Sequence, residues 1–462
     1  MTRPVLILQM QRLGDLILAF PLILDLLQSY PKQPIFVVAE EAFFRPLIPI
    51  APPCTFFPPS FLAKAKALTY SLAFNLSSRP EAAQCLAQIK ADAKFGPSID
   101  DSGHYIHGFW QLYRHSLTQN NRHNTFHWAD LYRLDLWQKQ QAFTPKYTQP
   151  QYRNSTHVGL VLGASAPFKH PNAEFWITLG QILQRAGLNP FLIGGPKEAL
   201  LGAAVAKGLK RPQANLCGKL SIGELSQLIK QFALCITPDT GPMHLANWLS
   251  VPVLNLSMGP VRAYETGPYA PKQRVLLPAI SCAGCWSCTQ QTYSCKRKFQ
   301  PLFVAKHALN MLEQKLPPRL AELKLAHTCR DNLGLANLEF TDSAKPTCEQ
   351  VLDQVWRNIF INFAAPAINT QTETHIATLK DLYPQVYNII RRELNHILPV
   401  ALKEFQRDKQ LTTINWLKRA PAIRLLTGFL EMYLQNQNCE PHAWRQVCSY
   451  LAQTLSLFEE HE

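Results

Sequence analysis

"CITPDTGPMHLANWLSVPVLNLSM", residues 235–258, is an apolar run, a polar knot, a helical stretch and a second apolar run. An apolar run of this length bounded by turn residues reads as a buried strand, and the pair flanking a helix reads as one βα unit of a parallel sheet. The knot is Asp239, Thr240, Gly241, Pro242 and His244. Asp239 or Thr240 can cap the helix, and Pro242 suits its first turn because that N–H is not needed. Gly241 lets a ligand approach the backbone. The free N–H groups and the positive dipole end then form an anion site at the carboxyl end of a strand, with His244 able to donate to a phosphate. Local physics alone does not separate this from a well-capped helix with an incidental histidine.

The same alternation extends in both directions. "VLILQM", "DLILAFPLILDLLQSY", "PIFVVA" and "LAFNL" followed by "SSRPEAAQCLAQIKA" fill the first third. A polar, aromatic- and His-rich stretch follows over about 104–153. Alternation then restarts with "THVGLVLGAS", "NPFLIGG" and "ALCIT". The two halves read as doubly wound α/β domains meeting at a cleft. From about 318 the β signal gives way to apolar residues at helical spacing, as in "CEQVLDQVWRNIFINFA". The expected organisation is an N-terminal α/β domain over 1–152, a second over 153–317, and an all-helical extension over 318–462.

The 462 residues are 47% hydrophobic and 17% charged, an ordinary globular composition rather than a disordered one. Lys plus Arg exceed Asp plus Glu by 46 to 32, a net charge of +14 that favours an anionic partner. Nothing resembles a helix-turn-helix or an aromatic RNA-binding strand, so nucleic acid is not the expected partner. No stretch reaches the length of a membrane span and no signal-peptide cleavage site follows the start. A cytosolic protein is expected, peripheral at most on the inner face of the inner membrane.

Three further strand-end motifs carry candidate site residues. "QRLGDLILAFP", residues 11–21, places Gly14 where a tight turn is permitted and Asp15 where it either caps the helix or stands as a cleft carboxylate. "GASAPFKH", residues 163–170, offers a small-residue turn with Ser165 and puts the cation of Lys169 over the cleft. "LIGGPKE" sets Glu198 at a helix start, to bond ribose hydroxyls or simply to favour the helix dipole. No G-x-G-x-x-G dinucleotide fingerprint occurs.

Taken in order, "RLGDLILAFP", "GASAPFKH", "GGPKE" and "DTGPMHLA" followed by "VPVLNL" resemble glycosyltransferase family 9, the heptosyltransferases of lipopolysaccharide inner-core synthesis. The resemblance covers about residues 4–315. It implies a GT-B fold of two Rossmann-like domains, with the acceptor on the first and the nucleotide-sugar on the second. It implies that Asp15 is the catalytic base and that Lys169 neutralises the nucleotide diphosphate. Gly14, Ser165, Asp239, Thr240, Gly241 and His244 then hold the donor, with Glu198 on its hydroxyls. The family usually has Lys, one residue, then Trp-Pro; "KHP" here is shorter and lacks the Trp. Gln11 and Arg12 stand where family members often carry Ser.

The chemistry so implied is inverting transfer of heptose or a related sugar, ADP-heptose being the donor the family suggests, to a lipopolysaccharide-core or similar anionic glycan or glycolipid. It needs a base near the acceptor and charge stabilisation on the leaving group. No D-x-D triplet suggests a metal-bridged diphosphate, and no cofactor is required. A nucleotide-sugar epimerase of the same fold and a non-catalytic anionic-surface binder are the competing readings. Arg79, Lys94, Arg114 and Arg122 are candidates for a phosphorylated or carboxylated acceptor, because Arg matches such groups bidentately; a solvated basic loop is the alternative. Cys282, Cys285, Cys288 and Cys295 have spacing that can ligate zinc or an iron–sulfur cluster, against reduced thiols or a labile disulfide.

Overall fold

The structure, a computed structural model, describes residues 3–101, 103–139, 149–259, 261–282, 288, 292–315, 321–341, 345–368, 370–406 and 414–459. The strands in chain order are β1 (Val5–Leu8), β2 (Ile35–Val38), β3 (Thr55–Phe57), β4 (Thr69–Asn75), β5 (Lys90–Asp100), β6 (Gly103–His107) and β7 (His157–Val161). Then follow β8 (Asn189–Ile193), β9 (Leu234–Pro238), β10 (Val253–Leu256), β11 (Arg274–Pro278), β12 (Leu323–Arg330) and β13 (Ala336–Phe340). The chain divides into two compact units. One comprises Met1–Phe61, His127–Arg133 and Gln141–Asp342; the other comprises Leu62–Phe126, Leu134–Gln140 and Ser343–Glu462.

In the first unit, β1 pairs in parallel with β2, which pairs in parallel with β3. A seven-stranded sheet runs in the order β13-β12-β11-β10-β9-β7-β8. From β8 to β11 every pairing is parallel. Strands so placed are covered on both faces, which is why β1 reads as an unbroken apolar run and why β9 and β10, each interrupted by one polar residue (Thr237 and Asn255), are buried throughout. Leu160, Ile236 and Leu254 pack with Trp176 and Leu179 of the helix Ala173–Arg185. A parallel sheet also sets every strand-to-helix loop at one edge. The motifs of residues 163–169, 194–198 and 239–244 are therefore neighbours in space because of the topology alone.

The helical region begins later than 318. β12 and β13 add two antiparallel strands to the sheet beyond β11. Their hairpin is held by Asp331, whose Oδ1 accepts the N–H groups of Leu333 and Leu335, and by Gly334 at φ 77°. That left-handed conformation is one glycine adopts without steric cost. The local signal, "RDNLG" between two short alternating stretches, was present but weaker than the helical pattern after it. Helix proper starts at Cys348, with Thr347 capping it.

A buried ionic cluster ties the segment His127–Arg133 into this unit. Arg133 Nη1 donates to Asp25 Oδ2 at 2.9 Å, and its Nε lies 3.4 Å from Asp130 Oδ1. Tyr269 donates its hydroxyl to Asp130 Oδ1, and the Ala336 N–H donates to Asp130 Oδ2 at 2.8 Å. Burial pushes the Asp130 carboxyl up, but Arg133, Arg330 and the Tyr269 bond outweigh it and hold it below the usual range. Removing Arg133 takes from buried Asp25 its partner at 2.9 Å and from Asp130 one of the two cations that hold it. Arg133→Ala should therefore cost about 3–5 kcal/mol, read from urea unfolding; a loss under about 1 kcal/mol would show that the two carboxylates need no buried partner.

In the second unit β4 pairs in parallel with β5, and β5 antiparallel with β6. The C-terminal helices are not an independent tail, since they build one core with residues 62–126. Tyr113 on the helix Phe109–Ser116 meets Phe360 and Phe429 edge-on or tilted, 4.5 and 6.3 Å between ring centres. His123 Nδ1 lies 2.8 Å from Asp353 Oδ1, and Arg357 donates to the Thr125 carbonyl while covering the Phe126 ring. The Asn436 amide bonds both the N–H and the C=O of Ile106, occupying the backbone groups of β6 as a further strand would. Among the described residues no helix is long and apolar enough to cross a membrane.

Candidate functional site

Four chain segments converge at the carboxyl ends of β1, β7, β8 and β9. They enclose a cavity of about 450 Å³ in the first unit. Gly14, Asp15, Ser165, Lys169, Glu198, Asp239, Thr240, Gly241 and His244 all line it. Every residue assigned from sequence to the base, the diphosphate or the donor thus meets at one place. Arg12, Trp128, Val261 and Thr266 line it as well and were not foreseen. Arg12 lies within a quoted motif, but Trp128 and Thr266 had no local signal, being brought in by long-range packing.

The helix Gly241–Trp248 starts from Thr240, whose backbone is extended and whose side chain makes no capping bond. The Asp239 carboxylate does not cap it either. It accepts from the Thr266 hydroxyl at 3.0 Å and lies 3.6 Å from Lys169 Nζ and 3.9 Å from His244 Nε2. The expected side-chain cap is therefore not made: Met243 and His244 donate their N–H groups to the Thr240 carbonyl at 3.0 and 3.4 Å, Pro242 has none, and the Gly241 N–H has no side-chain partner among the described residues. A helix start with its dipole end at a cavity can seat an anion. Burial lowers the pKa of His244 against the opposing pull of Asp239. Burial thus favours the neutral imidazole, which donates from one nitrogen only.

Gly14 is required for close approach rather than for a tight turn. It takes no positive φ, and a Cβ there would lie 2.8 Å from His244 Cδ2. The helix Leu13–Leu18 thereby presses directly on the start of the helix Gly241–Trp248. Asp15 fulfils both of its alternatives: its Oδ2 accepts the Arg12 N–H at 3.2 Å, and the side chain stands in the cavity wall. Glu198 accepts the Gly195 N–H at 2.8 Å. Its carboxylate occupies the space a side chain at Gly163 would need, a Cβ there lying 2.4 Å from it. The small residues of "GGPKE" and "GAS" make room for that carboxylate.

The four basic residues expected for the acceptor lie in the second unit and outside the cavity lining. Arg79 is 3.8 Å from Glu81, Lys94 donates to the Ala87 carbonyl and Arg114 Nε donates to Gln111 Oε1. Arg122 is exposed. Of the cysteine group, Cys282 and Cys288 are exposed and Cys295 half-buried, while Cys285 lies outside the described residues. Among the described residues no three His, Cys, Asp or Glu side chains converge on a metal-sized site.

Residues 113–295 match the family model described as glycosyltransferase family 9 (heptosyltransferase). A lipooligosaccharide heptosyltransferase 2 of Campylobacter jejuni is 31% identical over 102 residues, which are 21% of this chain and 32% of that protein. The chain therefore spans about a third of the length of that curated relative. Two solved structures share the fold. A glycosyl transferase family 9 protein from Veillonella parvula superposes with a TM-score of 0.53 at 17% identity, covering 68% of this chain and 98% of the other. An E. coli ADP-heptose lipopolysaccharide heptosyltransferase II gives 0.52 at 19% identity, covering 67% and 99%. The α/β fold of GT-B type expected from the sequence, with its C-terminal helical region, is the fold observed.

Proposed function

We propose, from the match of residues 113–295 to the glycosyltransferase family 9 model, that the chain transfers a sugar from a nucleoside diphosphate to a glycan hydroxyl. One observation carries this reading: the nine residues picked out in sequence for that chemistry line a single cavity. The donor named for the E. coli relative, ADP-heptose, is the first candidate here. The acceptor class is a lipopolysaccharide-core or similar anionic glycan, after the lipooligosaccharide enzyme of Campylobacter jejuni. The donor rests on loops of the 153–317 stretch, and Asp15 reaches the acceptor hydroxyl from the 1–152 stretch.

Asp15 takes the proton from the acceptor hydroxyl as its oxygen bonds to the anomeric carbon. The bond from that carbon to the diphosphate oxygen breaks from the opposite face, so the configuration inverts. The electron pair leaves with the diphosphate, whose charge is met by Lys169, by the Gly241 N–H and by the positive dipole end of the helix Gly241–Trp248. Glu198 takes hydroxyl groups of the donor. A carboxylate cannot itself bind phosphate, so Asp239 serves by holding Lys169 and meeting the sugar.

The test is thermal-shift titration of the whole chain with ADP-, GDP- and UDP-sugars. A ligand present at 100 times its Kd stabilises the folded state by about 2.7 kcal/mol. ADP-heptose should raise the melting temperature most. A panel in which no nucleotide-sugar moves the transition would overturn the reading.

A further inference from the structure

The cavity has a charge problem that the residues assigned so far do not solve. Asp15, Glu198 and Asp239 line it against the two cations Lys169 and Arg12, and burial disfavours the charged form of His244. Lys169 lies 3.6 Å from Asp239, so much of its field is already spent on a carboxylate. A diphosphate entering beside three carboxylates needs another cation. Arg12 is exposed, and among the described residues its guanidinium makes no hydrogen bond or ion pair; only its backbone N–H is engaged, with Asp15. The backbone that carries it is placed by close packing. A Cβ on Gly241 would lie 3.4 Å from Leu13 Cδ2 and 3.7 Å from the Gly14 nitrogen, so the residues that follow Arg12 touch the first residue of the anion-binding helix.

We propose that Arg12 binds the donor's diphosphate, supplying from the Asp15 side of the cavity the cation that Lys169 only partly provides. The inference rests on the sugar-transfer reading and adds a residue to it. The planar guanidinium takes two non-bridging oxygens at once, a match that an ammonium cannot make. As the anomeric C–O bond breaks, its electron pair passes to the diphosphate oxygen and Arg12 offsets the added charge while keeping its own protons. The base and this clamp then stand three residues apart on one turn, so placing the turn against the Gly241 helix sets both.

The experiment is isothermal titration of the full chain, wild type and the Arg12→Ala and Arg12→Lys variants, with ADP, adenosine and inorganic pyrophosphate. Because the side chain is exposed, both variants should keep the wild-type melting temperature. Arg12→Ala should weaken ADP and pyrophosphate at least tenfold and leave adenosine unchanged, with Arg12→Lys between. Unchanged affinity for ADP and pyrophosphate in Arg12→Ala overturns the proposal. A wild type that binds pyrophosphate through Arg12 but no nucleotide-sugar would sink the transfer reading and leave this site standing. A wild type that binds neither anion removes both.

Discussion

Asp15→Asn should lower the turnover of sugar transfer by about 10²–10⁴-fold, the range for losing a positioned general base. The asparagine oxygen can still accept the Arg12 N–H that Asp15 holds at 3.2 Å. The start of the helix Leu13–Leu18 is thus kept and only the proton acceptor is removed. ADP affinity should stay within about twofold, since losing a carboxylate beside a diphosphate does not weaken the anion. Asp15→Ala should show the same kinetic loss plus about 1 kcal/mol of stability, because it also deletes the helix-start bond. Initial rates and ADP titration on the same samples separate the two effects. Turnover of the Asn variant near the wild-type level would remove Asp15 as the base.

The second large effect is expected at Lys169. Lys169→Ala should reduce turnover by about 10²-fold or more, as deletion of one group facing developing negative charge does elsewhere. It should also weaken ADP by about 1.5–3 kcal/mol, the worth of a charge-assisted contact. Part of that loss has a distinct origin. With Lys169 gone, Asp239 keeps its bond from Thr266 but loses the cation 3.6 Å away and repels the incoming phosphate. The double variant Lys169→Ala/Asp239→Asn should therefore bind ADP better than Lys169→Ala alone, a coupling that a double-mutant cycle measures directly. Additive losses would mean that Asp239 does not act through Lys169.

Much of the cavity was legible because its residues sit at strand ends. Each motif has a short apolar run, then glycine, serine or aspartate, then helix. That pattern places a small polar loop at the carboxyl edge of a parallel sheet whatever the rest of the fold does. Gly14 shows where such reading stops. Its smallness was visible, but the reason is His244, 230 positions away in the chain, occupying the space of its side chain. Asp239 is a second case: the helix-start pattern suggests a cap, whereas the side chain turns to Thr266 and Lys169. Short polar side chains choose between local and distant partners by energies of about 1 kcal/mol, too small a difference for local pattern to decide.

The β12–β13 hairpin and the C-terminal helices make the same point at larger scale. "RDNLG" specified a turn, but whether its arms formed strands depended on a free edge at β11 to pair with. The helices after Cys348 were readable one by one from apolar spacing. That spacing says only that a face must be buried, not against what. Their partner is the stretch 62–126, through Tyr113, Phe360 and Phe429.

By itself, then, the sequence determined periodicity, element type and the identity of the loops at the sheet's carboxyl edge, since backbone geometry and burial of apolar faces act over a few residues. Tertiary structure alone decided which loops share a cavity with Arg12 and Trp128, which cation Asp239 engages, and which surface the C-terminal helices cover. Those outcomes are set by packing between residues far apart in the chain, and no window of sequence contains both partners.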